Sequence, residues 1–168
     1  MFYMFFGKEM REHHFDYLDY NPSNRRMEPT VKKGVTPIKE QENSSDEKYC
    51  IDICSKDLIR CEGGSTVAAA LKTMMKHDFR HLPVTENSKL IGIISLKDLL
   101  PHVDKPFSNK MIVRDYISKI VICCDEETPV RYLAHVLCNE KVSALLVINK
   151  QLSLIGIVSY IDVLKSMI

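Results

Sequence analysis

The pattern of apolar and polar positions from Tyr49 onwards predicts a series of short elements in the order strand, helix, strand, strand, helix. In the first series, residues 58–61 are apolar except for Arg60 and predict a strand, and residues 63–65 begin a helix. Two further apolar runs, residues 82–84 and 90–94, flank a polar turn and predict a hairpin.

The same series follows once more after residue 112. Residues 120–124 predict its first strand, and residues 144–148 and 154–158 predict its hairpin. Its helix begins at residues 126–128, where Thr128 is expected as the N-cap and Pro129 as the first helical residue.

Both predicted helices carry an apolar stripe at helical spacing, which we interpret as core. The stripes consist of Val67, Ala70, Leu71, Met74 and Met75 in the first series, and of Val130, Leu133, Val136 and Leu137 in the second.

The two series are also related residue by residue at a nearly constant spacing, with one inserted loop residue, as expected of a duplication. The matched pairs include Asp52 and Asp115, Ser55 and Ser118, Lys56 and Lys119, Gly92 and Gly156, Ser95 and Ser159, and Asp98 and Asp162. We therefore predict an N-terminal extension and partly flexible linker at 1–48, repeats at 49–100 and 113–168, and an inter-repeat linker at 101–112.

Each third strand ends in Ser-x-x-Asp, at Ser95 to Asp98 and at Ser159 to Asp162. One interpretation is a capping box, in which Ser and Asp bond to each other's backbone and no ligand is needed. The other is a binding turn, in which the helix start and the Ser hydroxyl suit a phosphate and the Asp accepts ribose hydroxyls. The occurrence of two copies in one register favours binding.

Composition narrows the function classes. The chain has 168 residues, 45% of them apolar, and a net charge of +1, which gives no reason to expect nucleic acid as a partner. Its apolar opening, residues 1–6, is far below the ~20 residues of a membrane span and lacks the features of a signal peptide. We expect a cytoplasmic protein that does not bind membranes.

The six cysteines are scattered, and we interpret them as reduced core residues with neither a disulfide framework nor a metal site. The paired His13 and His14 are interpreted as solvated, and Phe15, Tyr17 and Tyr20 as aromatic residues that could dock on the protein. No nucleophile–base pair and no Walker-type loop occur, so we expect no catalytic residues and no enzyme.

Three motifs of the first repeat resemble the cystathionine-beta-synthase (CBS) domain: residues 52–55, 80–84 and 92–98. The matching parts of the second repeat do so too, and two domains in tandem resemble a Bateman module. The second repeat departs from the pattern, since Ser143-Ala144-Leu145 stands where the first has Arg80-His81-Leu82.

The resemblance implies an α+β fold in which two β-α-β-β-α repeats pack about a pseudo-twofold axis with two clefts between them. It assigns each cleft one Ser-x-x-Asp turn and strand residues of the other repeat. The first cleft would hold Ser159, Asp162, Arg80, His81, Pro83, Asp57 and Leu58. The second would hold Ser95, Asp98, Lys97, Lys119, Ile120, Ala144 and Leu146.

The charged members of these sets fit phosphates, and each has a plainer interpretation. Lys97 and Lys119 are also typical of solvated surface charges, and Arg80 could bond the carbonyls that end the preceding helix. The His81 imidazole could stack on a base or donate to a phosphate.

The resemblance thus implies a regulatory module that binds AMP, ADP, ATP or S-adenosylmethionine, requires no cofactor, forms a homodimer and acts on an unknown protein. The alternative is a ligand-free dimerisation or assembly module that regulates a partner.

Overall fold

The computed structural model describes residues 1–7, 9–19, 47–103 and 109–168. Tyr20, most of the predicted N-terminal linker and the middle of the inter-repeat linker lie outside the described residues.

The described chain contains eight strands and five α-helices, numbered here in chain order. The strands are β1 (Phe2–Phe6), β2 (Met10–His13), β3 (Cys61–Glu62), β4 (His81–Glu86), β5 (Lys89–Ser95), β6 (Ile120–Asp125), β7 (Ala144–Ile148) and β8 (Leu154–Ser159). The helices are α1 (Cys50–Ile53), α2 (Val67–His77), α3 (Leu96–Leu99), α4 (Val130–Asn139) and α5 (Tyr160–Lys165). One sheet has the order β3-β4-β5, and the other β2-β1-β6-β7-β8. The mixture of sheets and helices confirms the predicted α+β class.

The chain forms two compact units. One, called the central unit, comprises Met4–Arg11 and Lys56–Cys123; the other, called the C-terminal unit, comprises Met1–Tyr3, Glu12–Ser55 and Cys124–Ile168. Their boundaries differ from those of the sequence repeats, because the first residues of each repeat belong to the unit that contains the other repeat's hairpin.

The core of the central unit lies between α2 and the β4–β5 hairpin. Strand β4 pairs with β5 in antiparallel register, with His81 opposite Ser95. The side chains of Leu82, Val84 and Ile94 are fully buried against the apolar face of α2. The hairpin turn is tight because Asn87 and Ser88 both adopt positive φ.

The C-terminal unit contains the equivalent hairpin. Strand β7 pairs with β8, and Ala144 lies opposite Ser159. The predicted stripe of α4 is buried at all its positions, which are Val130, Leu133, Val136 and Leu137.

Some local predictions were wrong. The first strand of the first repeat is only Cys61–Glu62, and residues 58–60 form no regular element. Met75 is 78% exposed, so it lies outside the core stripe. Thr66 caps α2 by accepting a bond from Ala69 N at 3.2 Å.

The start of α4 also differs from the prediction. Pro129 is the N-cap, with an extended ψ of 140°, and it is not the first helical residue. The Thr128 hydroxyl donates to Oδ1 of Asp125 at 2.7 Å, so it does not cap the helix.

The first residues, predicted as an extension, include two strands that join the five-stranded sheet. Phe2, Phe5 and Phe15 are buried, and the rings of Phe2 and Phe15 meet edge to face at 5.5 Å. Phe15 thus docks on the protein, and the apolar run at residues 1–6 was the signal for β1. His13 and His14 are exposed.

A glycine in each third strand allows the backbone of another segment to pack closely against the strand. In the central unit, Ser118 N donates to Ile93 O at 2.9 Å, and a Cβ on Gly92 would lie 2.4 Å from Ser118 O. In the C-terminal unit, Ser55 N donates to Ile157 O at 2.9 Å, and a Cβ on Gly156 would lie 3.2 Å from Ser55 O.

We predict that Gly92→Ala lowers the free energy of unfolding by about 3 kcal/mol, because the added methyl must push backbone aside. Gly64→Ala is the matched control, since its Cβ would meet only the end of the Arg114 side chain at 3.6 Å. Chemical denaturation of the two variants measures the difference. Equal stability of the two variants would contradict the close-approach account.

Candidate ligand-binding site

The Ser-x-x-Asp turn of the central unit joins β5 to α3. Oδ2 of Asp98 accepts the backbone N–H of Ser95 at 2.8 Å and its hydroxyl at 2.6 Å. The Ser95 hydroxyl oxygen in turn accepts Asp98 N at 3.3 Å. This reciprocal pairing is a capping box, and it satisfies the first donors of α3.

The turn of the C-terminal unit repeats this geometry at the junction of β8 and α5. Oδ2 of Asp162 accepts the Ser159 N–H at 2.8 Å and the Ser159 hydroxyl at 2.6 Å. The duplication seen in the sequence therefore extends to these two bonds, which have the same lengths in both turns.

Capping uses only part of each carboxylate. In both turns the bonds go to Oδ2, and within the described part of the chain no hydrogen bond reaches Oδ1 of Asp98 or Asp162. Asp98 is exposed and Asp162 is half-buried. Each turn therefore presents an anionic oxygen that can accept a hydroxyl while the cap stays intact.

The neighbouring strand start differs between the two units. In the central unit, His81 lies opposite Ser95, and Leu96 N donates to Arg80 O at 2.8 Å. In the C-terminal unit, Ala144 lies opposite Ser159, and Tyr160 N donates to Ser143 O at 3.2 Å. The first turn thus has basic residues next to it where the second has small ones.

His81 is half-buried, and burial is the main reason that its pKa lies below the ordinary value. The carboxylate of Asp98 raises the pKa and the guanidinium of Arg80 lowers it, but burial outweighs Asp98. His81 is therefore neutral near pH 7, with one ring nitrogen able to donate and the other able to accept.

The structure brings part of the predicted second set together in the central unit. Ser95, Lys97 and Asp98 share one turn there, and Ser118, which immediately precedes Lys119, bonds to Ile93. Asp57, Lys97, Lys119, Ile120 and Arg80 are exposed, and Leu58 is half-buried.

Two predicted members are buried. Pro83 and Leu146 lie inside their hairpins, opposite Ile93 and Ile157. Because their side chains are buried, only the backbone atoms of these two residues are suited to contact a ligand. The grouping of Asp162 with His81, and of Asp98 with Ala144, combines residues of different units and stays a prediction.

Sequence reasoning missed the role of Ser55 and Ser118, which bond to the strands that lead into the two turns. The signal was present, since the two serines match each other in the duplication, each followed by a lysine. The pattern gave no reason to pair them with the third strand of the other repeat.

A metal centre has no support in residues 1–7, 9–19, 47–103 and 109–168, where no three His, Cys, Asp or Glu side chains are grouped to hold an ion. No helix within those ranges has the length and apolar character to cross a membrane.

The family model described as the CBS domain matches the chain twice, at residues 50–105 and 113–168. The chain belongs to the CBS domain family. Both Ser-x-x-Asp turns lie inside matched segments, and the tandem repeat inferred from the duplication is confirmed.

Among curated proteins, the L-aspartate semialdehyde sulfurtransferase of Methanocaldococcus jannaschii is 29% identical over 113 residues, which are 67% of this chain and 22% of the enzyme. The CBS pair therefore corresponds to less than a quarter of that relative.

Among solved structures, the CBS domain pair of protein MJ0100, in complex with 5′-methylthioadenosine and S-adenosyl-L-methionine, is 26% identical with a TM-score of 0.65. The match covers 72% of this chain and 96% of that one. The protein CBSX2, in complex with AMP, is 23% identical with a TM-score of 0.60, covering 71% and 95%. At that identity the second likeness shows the fold alone.

We predict that the free energy of unfolding falls as the pH is lowered from 7.5 to 5.5. His81 and His135 both have lowered pKa values in the folded protein, mainly through burial, so the unfolded chain binds protons first. His81→Gln should flatten the dependence in part, and the double variant with His135→Gln should flatten it further. Denaturation at several pH values measures it, and an unchanged slope in His81→Gln would contradict the assignment.

Proposed function

We propose that the chain is a regulatory, non-catalytic module of the cytoplasm that binds an adenosyl ligand or an adenine nucleotide at its Ser-x-x-Asp turns. The observation that carries this proposal is the pair of capped turns, each with one Asp oxygen to spare. A cap alone would not require the same Ser and Asp, in the same register, after both glycine-containing strands.

The proposed contact is between the carboxylate and a ribose. The spare Oδ1 of Asp98 or Asp162 accepts a hydroxyl of the ribose diol, which forms a charge-assisted hydrogen bond. Arg80, Lys97 and Lys119 supply cationic groups for the phosphates of a nucleotide, and His81 a ring nitrogen. A sulfonium or thioether ligand would use the ribose contact alone.

The ligand class is supported by the relative of highest identity among the solved structures described above. The CBS pair of MJ0100 binds 5′-methylthioadenosine and S-adenosyl-L-methionine. Both contain adenine and ribose without phosphate, so they share with AMP, ADP and ATP the diol that the Asp would accept. AMP, ADP, ATP and S-adenosylmethionine are the candidate ligands.

Regulation follows from differential binding. A ligand shifts an equilibrium between two arrangements of the protein only as far as its affinities for them differ. The proposed output is therefore a change in how the module engages a regulated protein.

We also propose that the module is a homodimer. Several apolar side chains of α5 and the C-terminus are exposed, namely Leu164, Met167 and Ile168. Burying them against a second copy would remove apolar surface from water.

Sedimentation velocity at tens of micromolar protein tests the dimer. We expect twice the mass of the 19.3 kDa chain. Leu164→Glu should shift the distribution towards the monomer, with Lys165→Glu, on the adjacent exposed position, as a charge control. A monomer in the unmodified chain would contradict the proposal.

A ligand-free assembly module is the second candidate, and one observation favours it. Ser95 with Asp98, and Ser159 with Asp162, already satisfy each other, so the turns are complete as caps. In that case the two Asp side chains would affect stability and nothing else.

Thermal melting with AMP, ADP, ATP, 5′-methylthioadenosine and S-adenosylmethionine separates the two functions. A ligand at 100 times its Kd adds about 2.7 kcal/mol, which raises the Tm by about 5–10 °C. Asp98→Asn or Asp162→Asn keeps an acceptor for the cap but removes the charge. We expect about 10- to 100-fold weaker binding in at least one of them.

Asp52→Asn is the matched control, because Oδ2 of Asp52 accepts the Tyr49 N–H at 2.9 Å in a cap of the same kind outside the proposed site. It should alter the Tm of the free protein as the other two variants do and leave the ligand shift intact. If no ligand raises the Tm at millimolar concentration, the assembly function is favoured.

A further inference from the structure

Two cysteines of the C-terminal unit lie sulfur to sulfur in its interior. Sγ of Cys50 is 3.5 Å from Sγ of Cys124, and both side chains are fully buried. Neither cysteine is in a disulfide. Since the sulfurs of a disulfide are about 2.05 Å apart, a shift of about 1.5 Å would join them.

We propose that Cys50 and Cys124 form an oxidation site at which a disulfide locks α1 onto β6. The two residues are 74 positions apart along the chain, so the bond would tie the start of the first repeat to the first strand of the second. This proposal is independent of the ligand proposed above.

Access to the buried sulfurs comes from the way α1 is held. The helix has four residues, and its first two amides bond to the turn between β6 and α4: Cys50 N to Thr128 O at 2.8 Å and Ile51 N to Glu126 O at 3.0 Å. A short segment opens locally at a lower free-energy cost than the whole fold. Opening of α1 separates Cys50 from Cys124 and exposes both thiols.

The oxidant would be a small-molecule disulfide such as oxidised glutathione. In the open state the Cys50 thiolate attacks one sulfur of the oxidant, forming a mixed disulfide and releasing one glutathione thiolate. When α1 closes, the Cys124 thiolate attacks Sγ of Cys50 and releases the second glutathione. Two protein thiols are oxidised, one disulfide is reduced to two thiols, and the two protons pass to the two glutathiones.

The other cysteines are less suited to this reaction. Cys123 is adjacent to Cys124 on β6, and because successive side chains of a strand point to opposite faces, its sulfur lies on the other face from that of Cys124. Cys138 is exposed on α4 and would react with the oxidant alone. Cys54 comes directly after α1, and its sulfur packs against Gly156. A Cβ added to Gly156 would lie 2.9 Å from that sulfur.

The disulfide would hold the segment that pairs with β8 of the C-terminal hairpin. Ser55, which bonds to Ile157, comes shortly after α1, so a fixed α1 keeps this ladder contact closed. Closing a long loop also restricts the unfolded chain, which stabilises the folded protein.

The test uses the full chain with Cys138→Ser, which removes the exposed thiol. After incubation with oxidised glutathione without denaturant, free thiols are alkylated and the digest is mapped by mass spectrometry under non-reducing conditions. We expect the Cys50 and Cys124 peptides linked with a loss of two hydrogens, and a Tm higher by about 10 °C that returns to its starting value with reductant.

Cys124→Ala in the same background should show neither the link nor the rise in Tm, while Cys54→Ser should show both. Circular dichroism checks that each variant is folded. Reduced Cys50 and Cys124 after prolonged incubation, or a link that uses Cys54 or Cys123, would overturn the assigned pair. A Cys50–Cys124 link without a rise in Tm would overturn its locking role.

Discussion

The structure depends on the close approach of two backbones at a glycine, which occurs once in each unit. Gly92 and Gly156 lie where the third strand meets Ser118 or Ser55, and a side chain at either position would collide with that segment. The contact fixes the strand that ends in Ser-x-x-Asp, and so it fixes the turn. It also explains why the compact units differ from the sequence repeats, because each unit includes the first residues of the opposite repeat.

The turn stabilises the start of a helix, and in the proposed function the same arrangement also binds the ligand. Serine and aspartate satisfy each other and the first amides of a short helix, an interaction worth about 1 kcal/mol. The cap bonds go to Oδ2, so the cap holds the carboxylate in place without using Oδ1. The carboxylate is then ordered before a ligand arrives, which lowers the entropic cost of binding. Membership of the CBS domain family and the proposed adenosyl ligand both agree with this arrangement.

Much of the fold could be predicted because the duplication repeats the same physical constraints. The two hairpins, the buried stripe of α4 and the paired Ser-x-x-Asp turns follow from period, turn residues and register. The bonds of Ser55 to Ile157 and of Ser118 to Ile93 could not be predicted. Each joins the start of one repeat to the third strand of the other, and periodicity does not say which strand a segment joins. Thr128 was misassigned because a bond to Asp125 competes with capping, and Met75 because helical spacing cannot tell the edge of a stripe from its centre.

The most direct test of the binding role is a titration of the isotopically labelled chain with S-adenosylmethionine, 5′-methylthioadenosine, AMP, ADP and ATP, followed by amide NMR shifts. Amides of at least one turn, Ser95 to Asp98 or Ser159 to Asp162, should shift in a saturable way with a single Kd. Binding that leaves both turns unperturbed, or an absence of shifts with all five compounds at millimolar concentration, would contradict the account.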